Sequence, residues 1–138
     1  MGWTVDDMLA LGKRHAELEA RCDLDGLMKT LVADPVYEFH PVGLGMSGGE
    51  CVRRYYTELF TSFIPATTGY TLLDEWVNES AVVQEYEIEL EISGKPESHR
   101  VIGILVRSGE LLGGERVYAS ERCIQLMTGK LFDDLEPL

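Results

Sequence analysis

Residues 82–92, "VVQEYEIELEI", alternate strictly. Val82, Tyr86, Ile88, Leu90 and Ile92 point one way, and Glu85, Glu87, Glu89 and Glu91 point the other. Successive side chains of a strand leave opposite faces, so this pattern specifies a sheet with one buried and one wet face. Such a strand needs neighbours, and the flanking sequence supplies them. "YTLLDEWV" precedes it across the turn "NES", and "SHRVIGILVR" follows it across "SGKP". "ELLGG" reads as a further turn, "ERVYASERCIQLM" as the last strand, and "GKLFDDLEPL" as a mobile tail.

The half of the chain before residue 69 has a different period. Val52, Tyr55, Tyr56, Leu59, Phe60 and Phe63 recur at three and four residues, the stripe of an amphipathic helix that Pro65 ends. Ser47 and Glu50 have capping-box spacing at its start, after the glycine-rich loop "GLGMSGGE". That loop lacks the Gly-Lys-Ser/Thr of a nucleotide-binding loop. Met8, Leu11, His15, Leu18 and Cys22 form one face of a first helix over 5–22, with Glu19 among the charges on the rest of its circumference. Asp23 caps a second helix over 24–32, which Asp34-Pro35 ends. A short strand, "VYEFH", follows.

Helices followed by a meander of strands predict an α+β fold over residues 1–138 as a single domain, with three N-terminal helices packed on a curved, mainly antiparallel sheet. A bent sheet over helices leaves a hollow of the kind that takes small molecules. The net charge of −12 disfavours nucleic acid and anionic membranes as partners. The longest uncharged stretch, 59–74, is broken by Pro65 and Gly69 and cannot span a bilayer. Acidic residues near the N-terminus, where a secretory signal needs basic ones, predict a cytoplasmic protein. Cys22, Cys51 and Cys123 are odd in number, widely spaced and read as reduced thiols. Neither they nor the three histidines have metal-ligand spacing, so no metal is expected.

The segment "CDLDGLMKTLVADPVYEFHPVGLGMSGGECVRRYYTELF" resembles the N-terminal half of the nuclear transport factor 2-like superfamily, nearest to the SnoaL-like polyketide cyclase and steroid Δ5-isomerase branch. The shared landmarks are "DLDG", "PVG" after the first strand, and Gly48, Val52, Arg53, Tyr55 and Tyr56 on the third helix. The resemblance implies a cystatin-like cone, a homodimer, and a pocket for a hydrophobic small molecule that works without a cofactor. It puts His40 in the slot of the isomerases' proton-shuttling aspartate. His15 falls in the slot of the tyrosine that donates to the enolate oxygen, and Tyr56 in that of its supporting tyrosine. Gly103 falls where the isomerases keep a protonated aspartate.

His40 and His15 are therefore the candidate catalytic residues. An imidazole titrates near neutral pH, and Glu38, two residues back on the same strand face, could orient His40. Tyr55, Tyr56 and Tyr86 are candidates for lining the pocket. Glu121 or its neighbour Arg122 would reach the pocket or an interface from the last strand. His99 reads as an exposed residue beside a turn. Trp76 and the glutamate row offer material for a dimer interface. Three functions remain open: an isomerase, cyclase or hydro-lyase; a non-catalytic binding protein; and an interaction module.

Overall fold

A computed structural model describes residues 2–138. Helix α1 spans Val5–Ala20. Thr4 and Asp7 cap it reciprocally, the Asp7 carboxylate accepting from the Thr4 amide and the Thr4 hydroxyl from the Asp7 amide. Helix α2 is a single turn, Leu24–Met28, with Asp23 accepting from the Gly26 amide as its cap.

Strand β1 then runs Leu31–His40, so the second helix is shorter and the first strand longer than the sequence predicts. The helix stops because Lys29 and Thr30 bond back three residues, to Gly26 and Leu27. The Thr30 carbonyl is then taken by the Leu112 amide of the sheet. The glycine-rich segment is not a loop but contains strand β2, Leu44–Ser47. Helix α3, Gly49–Glu58, is capped by Gly48 with no side-chain bond, so the Ser47–Glu50 capping box does not form. The helix passes through a π turn, Leu59–Phe63, into the short α4, Ile64–Ala66. Pro65 therefore lies inside the helical run rather than ending it. The Ile64 amide bonds to the Leu59 carbonyl five residues back.

The sheet continues with β3, Thr67–Val77, β4, Ala81–Ile92, β5, Lys95–Ser108, and β6, Leu111–Tyr118. Helix α5, Glu121–Thr128, and a 3₁₀ turn, Gly129–Asp134, lead to the two-residue β7, Glu136–Pro137. The seven strands lie in the order β3-β4-β5-β6-β1-β2-β7, antiparallel except for β1 beside β6. The segment read as the last strand thus divides in two. Ser120 accepts from the Cys123 amide and starts a helix, so Cys123 and Glu121 are helical and not strand residues. The tail is also ordered. Leu131 and Leu135 are buried, and the Leu138 amide bonds to the Gly43 carbonyl.

The helices and the inner face of the sheet share one core. Met8, Leu27, Tyr37, Phe39, Val52, Tyr55, Tyr56, Leu90, Leu112 and Ile124 are fully buried in it. The glutamate row lies on the outer face, where Arg100 of the same chain bridges Glu85 and Glu87. No helix among the described residues is long and apolar enough to cross a membrane.

Candidate functional site

Five elements, α1, β1, α3, β4 and β6, deliver polar side chains to the interior between helices and sheet. From α1 comes His15, buried to 3% exposure and neutral, because burial drives its pKa down to about 4. Its hydrogen bonds fix the tautomer. The Thr30 hydroxyl donates to the Leu27 carbonyl (2.6 Å), so it can only accept from His15 Nδ1–H (2.8 Å). Nε2 is then an acceptor and takes the Tyr56 hydroxyl proton (3.2 Å), while the Tyr56 oxygen accepts from Tyr37 (2.6 Å). The order Tyr37 to Tyr56 to His15 to Thr30 to Leu27 is a one-way chain. Within it His15 is an anchor with both nitrogens occupied. The expected pairing of Tyr56 with the first-helix slot is thus made, but with His15 accepting.

Removing the middle of that chain is costly. Tyr56→Phe leaves His15 Nε2 and the Tyr37 hydroxyl unpaired inside the core. Denaturant unfolding should show a loss of about 2–4 kcal/mol. A loss under about 0.5 kcal/mol would mean that the chain does not hold the helix to the sheet.

One turn beyond His15, Glu19 lies on the same helix face, and burial raises its carboxyl to about 7. From β6, Glu115 lies opposite Leu105 of β5 and beside Tyr37 of β1. Its carboxyl is raised to about 8 by burial first and by the charge of Glu19 second. Both residues are half-buried. The Tyr55 and Tyr86 hydroxyls are held well above their usual range by burial, with Glu115 the leading charge on each and Glu19 next. Among the described residues, only Trp3 Nε1 is a side-chain polar atom that is both sealed from accessible space and unpartnered. The Glu19 and Glu115 carboxyls and the Tyr55 and Tyr86 hydroxyls, which have no protein partner, therefore keep accessible surface.

Gly103 clarifies the position of Glu115. A Cβ built there would lie 2.7 Å from Glu115 Oε2. The slot where the resemblance implies an acid is thus filled by a carboxyl from the neighbouring strand, and the missing side chain leaves its space. A break in register sets this up. Leu112 pairs with Arg107 but Gly114 with Val106, and the extra residue reverses the alternation. Glu115, Val117 and Ala119 therefore turn inward while Arg116 and Tyr118 are exposed.

His40 lies elsewhere. Phe39 and Tyr37 occupy the inner face of β1, so His40 and Glu38 face out. There His40 Nε2 meets Glu38 Oε1 at 2.9 Å, and its ring stacks on Tyr118 at 4.8 Å. His15 and His40 do not share a cavity. Glu121 is exposed on the first turn of α5, away from the hollow. Arg122 pairs with Glu97, and so does His99, which is half-buried rather than exposed. Of the three candidate tyrosines, Tyr56 bonds His15, Tyr55 packs on Tyr56 at 4.9 Å, and Tyr86 packs instead against Tyr70 at 5.2 Å. Glu19, Glu115 and Tyr37 complete the group, and sequence reasoning did not single them out. The Glu19 signal was present in its spacing from His15, whereas that of Glu115 was hidden by the bulge.

No protein-family profile and no curated protein matches the sequence. Solved structures do. A nuclear transport factor 2-like protein from Anabaena variabilis superposes with a TM-score of 0.67 at 24% identity, over 88% of this chain and 95% of that one. A candidate ketosteroid isomerase from Kribbella flavida gives 0.70 at 13% identity, over 85% and 80%. A protein of ketosteroid isomerase-like fold from Catenulispora acidiphila, in complex with trimethylamine, gives 0.63 at 18% identity, over 86% and 92%. The chain has the nuclear transport factor 2-like fold, an α+β cone.

Proposed function

We propose that the protein catalyses proton transfer on a hydrophobic small molecule that carries a carbonyl group, with Glu19 and Glu115 as the acid–base pair. The observation that supports this reading is the carboxyl of Glu115 over Gly103, within the field of Glu19. Two interacting carboxyls cannot both ionise easily, so near pH 7.5 the pair holds one proton. The protonated member donates a hydrogen bond to the substrate carbonyl oxygen, and the ionised one removes a proton from the adjacent carbon. The Tyr55 hydroxyl is placed to give the enolate oxygen a second donor. Return of the proton to another carbon is an isomerisation, attack of the enolate on a second carbonyl a cyclisation, and loss of a β-hydroxyl a dehydration. General acid–base catalysis of this kind contributes about 10²–10⁴ in rate.

The test is exchange of α-protons for deuterium in a panel of cyclic ketones and enones, followed by NMR in deuterated buffer. Wild-type protein should accelerate exchange with a bell-shaped pH profile centred between about 7 and 8. Glu19→Gln and Glu115→Gln should each lower the rate at least about tenfold. His40→Ala, on the outer face, should leave it unchanged. Binding of these ketones with no exchange would favour the second reading, a non-catalytic pocket. The closed chain from Tyr37 to Leu27 speaks for that reading, since it keeps several polar groups from any ligand. The homodimer implied by the family resemblance would use the outer face, where Trp76 and Tyr118 are exposed. Light scattering measures it directly.

A further inference from the structure

The two carboxyls have no cation. Neither Glu19 nor Glu115 is offset by an arginine or lysine among the described residues; burial acts on both, and the charge of Glu19 acts on Glu115 as well. Three further features bear on what would complete them. The Tyr55 side chain is 1% exposed, and its hydroxyl has no protein partner and lies within the field of both carboxyls. The Tyr70 ring, on β3, is 56% exposed and packs 5.2 Å from the Tyr86 ring. The Tyr70 hydroxyl lies within the field of Glu19 and of Glu75, whose carboxylate is held by Gln84. Tyr70 and Tyr86 thus form an aromatic pair, exposed at Tyr70, that lies within the field of Glu19.

Aromatic faces beside unpaired carboxylates attract cations, and most strongly cations with weakly hydrated alkyl groups. We propose that the hollow binds hydrophobic ammonium ions, with Tyr70 and Tyr86 against the alkyl groups and Glu19 and Glu115 as counter-charges. This deepens the reading of the hollow as a ligand site and names the ligand class. His15, Tyr37 and Tyr56 face the same space but are bonded to one another. Cys123 of α5, beside Tyr86, keeps its proton, as burial raises it to about 12. The carboxyls are therefore the groups that titrate when the ammonium enters. Binding requires them to ionise, so it releases the proton that the pair holds.

The experiment is isothermal titration calorimetry with N,N-dimethylcyclohexylamine and with cyclohexyl methyl ketone, its neutral counterpart of similar shape. Buffers of differing ionisation enthalpy report the protons released. At pH 8.5 the amine should bind at least about tenfold more tightly than the ketone. Its affinity should fall at least about tenfold at pH 6, with about one proton released per amine at pH 7.5. Glu19→Gln and Glu115→Gln are isosteric; each should weaken the preference and the pH dependence, and the double variant should remove both. Equal binding of amine and ketone, or a preference that survives in the double variant, would overturn the proposal. If the ketone binds and exchanges its protons while the amine does not compete, only the ammonium inference fails. If neither compound binds, both readings of the hollow fail.

Discussion

Glu115→Gln makes the protein more stable than wild type at pH 8.5 and removes the larger part of the fall in stability between pH 6.5 and 8.5. A carboxyl whose folded-state pKa is raised keeps its proton in the fold where the unfolded chain has lost it. The folded state then binds more protons, and stability falls as pH rises through the window between the two values. For Glu115 that window runs from 4.5 to about 8, and for Glu19 from 4.5 to about 7. His15 acts in the opposite sense. Its folded-state value of about 4 lies below the ordinary 6.5, so its contribution is complete above pH 6.5 and is lost on acidification. Comparison of pH 6.5 with pH 8.5 therefore isolates the carboxyls. Wild type should lose about 2 kcal/mol through Glu115 and about 1 kcal/mol through Glu19 across that interval. Glu115→Gln should lose only the smaller part. Chemical denaturation at the two pH values measures the difference. Equal pH dependence in wild type and variant would show that Glu115 is an ordinary solvated carboxylate.

Gly114→Ala has a larger expected effect by a different route. Gly114 has φ of +146°, a conformation that L side chains rarely adopt. A Cβ there would lie 1.8 Å from the Val36 carbonyl oxygen. The obstacle is backbone of the parallel neighbour, which cannot swing aside as a side chain could. Accommodation means parting β6 from β1 or undoing the bulge, and undoing the bulge would turn Glu115 out of the hollow. The expected loss exceeds about 3 kcal/mol, as for other strained or overpacked positions. Circular dichroism with urea titration should find a protein largely unfolded or with a sharply lowered midpoint. A loss under about 1 kcal/mol would contradict the backbone geometry at this bulge.

These two residues also show where sequence reasoning stops. The alternation of 82–92 and the helical stripe from Val52 to Phe63 were legible, because each period is local and each buried face is long. Together they led to an α+β fold with helices on a curved sheet, the resemblance added the cone, and the solved structures bear both out. The inward turn of Glu115 was not legible. It follows from one extra residue in β6 whose meaning lies in the register with β5 and β1. His40 shows the converse error. Its place before "PVG" marked a slot, but a slot fixes position along a strand and not the face. Phe39 and Tyr37 had the stronger claim to the inner face, since their large apolar surfaces gain most from burial. The end of the chain was misread because Cys123, Ile124 and Met127 suit either a strand or a buried helix face. Ser120, as a cap, decides between them.

Two carboxyls inside the fold, Glu19 and Glu115, are raised by burial toward neutral pH. Carbon-13 NMR of protein labelled at the glutamate δ-carbon tests it without any substrate, with Glu19→Gln and Glu115→Gln used to assign the signals. The account predicts two carboxyl resonances with midpoints near 7 and 8, each lost in the corresponding variant. Glutamate resonances that all titrate in the ordinary range near 4.5, with neither variant removing a late-titrating signal, would contradict it.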